Sequence, residues 1–409
     1  MSVILHVDLN NFYASVEMKI NPALKDKHVA VCGSVENRHG IILAKSEKAK
    51  KLGVKTGMVI RDALKLCPEL ILVEAKHDKY IAYSKLVKDI YRKFTDKIES
   101  FGIDECWLDV TSSIKMFGSG EEIAEEIRKR VKGELGLTVS IGVSFNKVFA
   151  KLGSDIKKPD AVTVISKENY KDIVWKLPVE NLLFVGNSTK TKLNKINILT
   201  IGDLALADSD FLSKKFGKWG QTLQIYAKGE ENSEVLLDNE SSEIKSVGNS
   251  ITSYRDLESF DDIKIVLTIL SESVSARVIE YGLSKADTLT LFVRDSELVS
   301  FTRQTKLEYP SSLSEDYFNS AYALFIKNVK GKFSIRSLGV SVSGFNNFNE
   351  QLSFDSLNYD KKVKLNDAVT NIKHKYGNDS VLKGIVLKDK KFMREDPKSE
   401  HVVHPDGHL

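Results

Sequence analysis

Two acid-bearing segments stand out. Val3-Ile4-Leu5-His6-Val7-Asp8 runs as an apolar strand into Asp8, and Ile98-Glu99-Ser100-Phe101-Gly102-Ile103-Asp104-Glu105 runs into two adjacent acids. If both strands belong to one sheet, Asp8, Asp104 and Glu105 converge on one edge. Crowded carboxylates repel, and a pair of hard divalent cations, which prefer oxygen ligands, neutralises them while clamping a nucleotide's phosphates for in-line displacement. Taken singly, Asp8 reads equally well as a cap on the next helix. Asp104-Glu105 does not, because Cys106-Trp107-Leu108-Asp109 follows at once as a second apolar strand with no room for a solvated loop. Metal ligation is the favoured reading of that pair, with Asp109 and Glu17 in supporting or structural places.

The elements that must position these acids are short. Phe12 to Ile20 reads as a helix stopped by Asn21-Pro22. Val29-Ala30-Val31-Cys32-Gly33 and Gly40-Ile41-Ile42-Leu43-Ala44 read as strands around a polar turn, and a lysine-rich helix from Ser46 to Leu52 ends at Gly53. Mixed helix is expected from there to Phe94. After the acidic strand and its partner come an amphipathic helix, Glu121 to Leu135, and a buried strand, Thr138 to Val143. This order predicts an α+β sheet flanked by helices.

From about Lys167 to Gly229 strand patterning is absent. Thr191 to Lys195, Ile196-Asn197-Ile198 and Thr200 to Leu204 read as helix, tight hairpin and helix, whose main-chain N–H groups could hold a phosphate without reading bases. Gly229 to Glu243 reads as a linker. Beyond it the pattern is strand (Lys245 to Asp256), helix (Asp261 to Tyr281), strands (Asp287 to Arg294, Val299 to Tyr309), helix (Leu313 to Val329) and strand (Ile335 to Phe345). Such a βαββαβ order puts both helices on one face of a sheet. The tail holds one helix, Lys361 to Tyr376, and a polar end with histidines that reads as disordered.

At 409 residues and 42% hydrophobic content the chain has material for two to four cored domains. A net charge of +4 permits a polyanionic partner without demanding one. The three cysteines, Cys32, Cys67 and Cys106, lack metal or disulfide spacing. With no membrane-length apolar run and no leader-like start, the expectation is a soluble, cytoplasmic protein without a membrane partner.

The sequence resembles the Y-family, or translesion, DNA polymerases. The residues that carry the likeness are Asp8-Leu9-Asn10-Asn11-Phe12-Tyr13-Ala14-Ser15-Val16-Glu17, the stretch from Ala44 to Gly57, Ile103-Asp104-Glu105, Ser140 to Lys151, and Lys158-Pro159. They stand in family order over the first 160 residues, and Ala44-Lys45 with the following lysines is similar to the bacterial UmuC-type branch. The resemblance implies an α+β, right-hand architecture. Its parts are a palm with a βαββαβ-type sheet (1–20 and 78–166), small fingers (21–77), a helix-hairpin-helix thumb (167–230), a linker (231–244), a βαββαβ little finger (245–345) and a tail (346–409).

It further implies template-directed, low-fidelity DNA synthesis without proofreading, by transfer of a deoxynucleotide to a primer 3′-hydroxyl. Asp8, Asp104 and Glu105 would be catalytic and, with the Leu9 carbonyl, would hold two Mg²⁺. Tyr13 would be the steric gate against a 2′-hydroxyl, with Phe12 beside it; on its own Tyr13 reads as a core aromatic. Lys50, then Lys45, and Lys158 would meet the incoming triphosphate, while Glu47 replaces a common tyrosine. Gly186 and Gly202 would let the thumb approach DNA, although Phe184-Val185-Gly186 stands where a Gly-x-Gly turn is usual. Arg255, Arg294, Arg303, Lys306 and Arg336, on strands beside Ser and Thr, would give an open sheet face for DNA phosphates. Gln351-Leu352-Ser353-Phe354 is similar to a sliding-clamp peptide, with Gln351, Leu352 and Phe354 as anchors. Primed template, deoxynucleotides and the clamp are the expected partners, with a recombinase filament and an accessory subunit further implied by the UmuC-type likeness. Two other readings remain: a non-catalytic accessory of the same fold that binds DNA and clamp at stalled forks, and a nucleotide cyclase, which needs a second glycine and no thumb.

Overall fold

The computed structural model describes residues 2–33, 40–238, 240, 243–345, 356–389 and 391–392. These form two compact units, the second beginning at Glu243.

In the first unit, β1 (Ile4–Leu9) leads into α1 (Phe12–Ile20), then β2 (Val29–Cys32), β3 (Ile42–Lys45), α2 (Glu47–Lys51), α3 (Ile60–Leu66), β4 (Ile71–Glu74) and α4 (His77–Tyr91). Next come β5 (Ile98–Ser100), β6 (Glu105–Asp109), α5 (Ile114–Phe117), α6 (Gly120–Arg130), β7 (Val139–Ser144), α7 (Lys147–Ile156) and β8 (Val162–Val164). The helices α8 (Tyr170–Ile173), α9 (Asn187–Asn194), α10 (Ile201–Leu206), α11 (Ser209–Phe216) and α12 (Lys218–Lys228) complete it.

The main sheet has the order β5-β6-β1-β7-β8, so β1 is central and has hydrogen-bonding neighbours on both sides. Side chains of a strand alternate between faces. Leu5, Val7, Cys106, Leu108, Ile141 and Val143 therefore share one face and pack against Tyr80, Val87, Ile90 and Tyr91 of α4 and Ile123 and Ile127 of α6. His6, Trp107 and Gly142 lie abreast on the other face. There α7 comes very close: a Cβ on Gly142 would stand 1.9 Å from the Ala150 carbonyl oxygen. Absence of a side chain at that point is what lets the helix lie on the strand.

The small sheet β3-β2-β4 carries α2, whose Ser46 cap also accepts a hydrogen bond from Val29 N. Within the mixed helical stretch expected up to Phe94, β4 intervenes between α3 and α4. Four residues with an exposed first and last position are too short a strand to show a period-2 pattern. The helices from α8 to α12 enclose their own core with Val148, Phe149 and Leu152 of α7. The stretch after α12, expected as a linker, lies along the main sheet: Val235 is buried with Ile4, Phe101, Trp107 and Ala150, and Leu236 N donates to Glu99 Oε2 (3.0 Å).

In the second unit, β9 (Ser246–Leu257), α13 (Phe260–Glu280), β10 (Ala286–Asp295), β11 (Ser300–Ser311), α14 (Ser314–Asn328), β12 (Ile335–Phe345) and α15 (Ser356–Tyr376) follow in order. The antiparallel sheet β11-β10-β12-β9 buries Ile251, Leu291, Val293, Leu338 and Val340 with Ile263, Val266 and Leu270 of α13 and Tyr317 and Phe325 of α14. The βαββαβ order is thus as the sequence reads. Helix α15 adds to α13 through Asn366 Nδ2 to Ser275 Oγ (3.0 Å) and Lys373 to Glu272 (2.6 Å). No helix among the described residues is long and apolar enough to cross a membrane.

Candidate active site

Asp8 and Glu105 are direct partners across the β1–β6 ladder. They lie on the face that also carries His6 and Trp107, the face covered by α7. Asp104 precedes Glu105 at the turn out of β5, and its carbonyl accepts from Leu9 N (3.0 Å). The turn is held from behind by α4, whose Ser84 Oγ donates to Ile103 O (2.5 Å). The three acids expected from sequence therefore share one edge of the main sheet.

Burial and mutual repulsion by Asp8 and Glu105 push Asp104 up to about 7. Burial also raises Asp8, opposed by Lys158, whose Nζ lies 2.8 Å from Asp8 Oδ2 and 2.6 Å from Asp155. For Glu105, burial pushes upward, but His6 and Lys151 outweigh it and hold the carboxyl at about 2. Lys151 Nζ contacts Glu105 Oε2 directly, and His6 Nε2 stands 3.2 Å from the same oxygen. His6 itself is fully buried, with Nδ1 2.8 Å from Ser154 Oγ and its ring edge-on to Trp107; burial lowers its pKa.

An all-oxygen set of three acids fits hard divalent cations in donor chemistry. The negative field that raises Asp104 is of the kind a cation relieves. The side chains are not gathered round a point: among the described residues no three His, Cys, Asp or Glu groups stand together to share an ion. Lys158 on Asp8 and Lys151 on Glu105 occupy carboxylate oxygens that a cation would use.

Lys158 is placed by Asn10. Its Nδ2 donates to Ser140 Oγ (2.9 Å), and its Oδ1 accepts from Asp160 N (2.9 Å). Arg128 and Lys132 hold the Asp160 carboxylate. On α1, Phe12 is buried and Tyr13 is half-buried, pushed up to about 12 by burial and by Asp104. Lys50 Nζ stands 3.6 Å from Glu47, whose Oε1 accepts from Asn11 Nδ2 (2.8 Å). Lys45 Nζ donates to Thr56 Oγ1 (2.9 Å). Glu47 thus links α2 to the turn between β1 and α1.

Gly186 caps α9 with open space around its Cα, whereas Gly202 is buried: a Cβ there would meet the Trp175 carbonyl at 2.9 Å. Phe184 adopts φ 67, the left-handed region where glycine is at ease, and its ring is held among Phe101, Trp219 and Tyr226.

In the second unit, Arg255 and Arg303 do not join an open basic face. Arg255 is bound by Asp262 of α13 (2.6 Å) and Asp389 (3.2 Å). Arg303 pairs in register with buried Leu291, so alternation turns it toward the helices, where Nε donates to Asn328 Oδ1 of α14 (3.0 Å). Arg294 and Lys306 fall on the opposite face with Ser300, Thr302 and Gln304, Lys306 being paired with Asp287 (2.6 Å). Arg336 is half-buried beside a register shift in β12. Gln351, Leu352 and Phe354 lie outside the described residues.

His6, Lys151, Asn10 and the buried Lys147–Glu99 pair have no assigned place in the sequence reading. Lys147 and Lys151 are one helical turn apart, a spacing that puts both on one face of α7, but nothing local says that this face meets the acids.

An acidic sheet edge flanked by a small sheet-and-helix module and a helical module, followed by a βαββαβ unit, is the layout of a right-hand polymerase. The impB/mucB/samB family matches residues 7–155, and the C-terminal domain of the same family matches residues 244–354. A DNA polymerase IV of Acetivibrio thermocellus is 48% identical over 396 residues, covering 96% of this chain and 99% of the relative. One of Clostridium kluyveri is 37% identical over 95% of this chain and 99% of its own. Among solved structures, a Y-family polymerase chimera of Dbh and Dpo4 is similar with a TM-score of 0.73 at 25% identity, spanning 84% of this chain and 99% of the other. The chain belongs to the impB/mucB/samB family of Y-family DNA polymerases.

Proposed function

We propose that this protein is a template-directed, low-fidelity DNA polymerase of the translesion type, and that Asp8, Asp104 and Glu105 are its catalytic acids. The observation that carries the reading is the alignment of Asp8 with Glu105 across β1 and β6, with Asp104 at the adjoining turn. Two Mg²⁺ held by these acids and the Leu9 carbonyl would supply activation of the primer 3′-hydroxyl and neutralisation of the leaving pyrophosphate.

The chain's own groups do the rest. Lys158, bound to Asp8 here, would pair with a triphosphate oxygen instead, leaving the Asp8 carboxylate free to hold a metal ion. Lys50 and Lys45 lie on the same module as Glu47 and add positive charge for the phosphates. Tyr13 is the gate beneath the sugar, with Phe12 packed beside it (ring centroids 5.7 Å apart). Gly186 at the start of α9 offers main-chain N–H groups to a DNA phosphate. In the second unit, Arg294, Lys306 and hydroxyl side chains suit phosphate contacts without sequence readout, with Arg336 as a further cation. Gln351, Leu352 and Phe354 would dock onto the sliding clamp. The recombinase filament and accessory subunit rest on the UmuC-type likeness alone. An intact acid set disfavours the non-catalytic accessory reading.

Primer extension with Mg²⁺ and one deoxynucleotide at a time tests this. Addition should follow the template base, mispairs should form readily, and a mismatched primer end should not be removed. Extension indifferent to template, or hydrolysis of the primer end, would overturn the reading.

A further inference from the structure

Tyr13 is not a free-standing side chain. Its ring stacks on Tyr80 of α4, with centroids 4.2 Å apart and planes 11° from parallel. Tyr80 is fully buried, and its hydroxyl donates to Glu17 Oε1 (2.9 Å). Glu17 is itself buried and lies on α1 one turn after Tyr13, so α1 supplies both the gate and the anchor of the ring behind it. His77, also on α4, meets Tyr13 and Tyr80 edge-on at 5.8 and 5.9 Å. Phe12 meets Tyr80 edge-on at 6.3 Å. One turn beyond Tyr80, Ser84 holds the carbonyl next to Asp104.

Exclusion of a 2′-hydroxyl is a demand on position: a ring free to slide by the width of an oxygen atom no longer excludes it. Of the rings around Tyr13, Tyr80 is the one whose face is parallel to it, and it is fixed at its far end by a buried charge-assisted hydrogen bond. We infer that Tyr80, anchored by Glu17, is a positioning residue that sets how strictly the enzyme rejects ribonucleotides. This rests on the reading of Tyr13 as the steric gate. It deepens that reading by assigning sugar selectivity to a residue that touches no nucleotide.

The test is single-nucleotide insertion kinetics on primed DNA with matched deoxy- and ribonucleotides, comparing wild type, Tyr80→Ala, Tyr80→Phe, Tyr13→Ala and the Tyr13→Ala/Tyr80→Ala double variant. Loss of an aromatic stack corresponds to a roughly tenfold rise in the ribo-to-deoxy ratio of kcat/KM for Tyr80→Ala. Tyr80→Phe keeps the ring and loses the anchor, so its ratio should rise about two- to threefold. The double variant should match Tyr13→Ala, because Tyr80 acts only through Tyr13. A general structural role would lower use of both sugars alike and leave the ratio still. An unchanged ratio in both Tyr80 variants, with Tyr13→Ala raising it, overturns the inference and leaves the gate intact. An unchanged ratio in Tyr13→Ala overturns the gate reading and the inference together. Should Tyr80→Ala not fold, Tyr80→Phe and Glu17→Gln carry the same comparison.

Discussion

Lys147→Met should destabilise the first unit more than any surface change. Lys147 Nζ lies 2.7 Å from Glu99 Oε2, and both side chains are 2% exposed. The ammonium also stands 5.5 Å from the Trp107 ring centroid. Among the described residues Glu99 Oε1 has no hydrogen-bond partner, and Oε2 has only Leu236 N (3.0 Å) besides the lysine. Removing the ammonium therefore leaves a buried carboxylate with one main-chain donor, a change that costs about 3–5 kcal/mol. With a urea slope of about 3 kcal/mol/M, the unfolding midpoint should fall by about 1–1.7 M. All three tryptophans, Trp107, Trp175 and Trp219, lie in the first unit, so their fluorescence reports its unfolding. Adding Glu99→Leu removes the stranded charge and should restore stability to within about 1 kcal/mol of wild type. A Lys147→Met cost below about 1 kcal/mol, or a double variant no better than the single, would refute the argument that the pair is buried and mutually dependent.

Other expectations follow from single contacts. Gly142→Ala places a Cβ 1.9 Å from Ala150 O, so α7 must shift; thermal melts should show a loss of about 3 kcal/mol, with Lys151 displaced from Glu105. Phe184→Gly relieves the φ 67 backbone but removes a ring packed on Trp219 and Phe101. The packing loss should win by about 1–2 kcal/mol, read by denaturant titration. Asp262, despite burial, is held at about 2 by Arg255, Ser259 and the Glu258 and Ser259 N–H groups, below its ordinary 3.8. A lowered carboxylate pKa stabilises the fold above the unfolded value, and the contribution drains away as pH falls from 3.8 toward 2. Circular dichroism of Asp262→Asn should show lower stability at neutral pH and a flatter acid limb; an unchanged acid limb would contradict it.

The sequence exposes those parts of the fold whose signals are local. Ile4–Leu9 and Glu105–Asp109 show as apolar runs with acids at their ends, and in the second unit Ile335–Phe345 falls where alternation puts it. The three acids are legible for the same reason, since strand-end position is a local property. What is not legible depends on contacts between distant residues. Lys151 reaches Glu105 only because α7 sinks onto Gly142, and Tyr80 reaches Tyr13 only because α4 packs in one core with α1 and the main sheet. Arg255 and Arg303 show the converse: basic residues on strands suggest a phosphate face, but register and the acids of α13 decide which way they point. The segment around Val235 reads as a linker because it is polar, and the burial of Val235 and the bond to Glu99 appear only in three dimensions.

The most direct test of the central claim is the rate of single-deoxynucleotide addition to a primed template by Asp104→Ala/Glu105→Ala beside wild type, with DNA affinity measured in parallel. The rate should fall about a thousandfold or more with DNA binding kept, because charge stabilisation at the reacting phosphate is lost. Addition within tenfold of wild type by the double variant would place the chemistry elsewhere than at these acids.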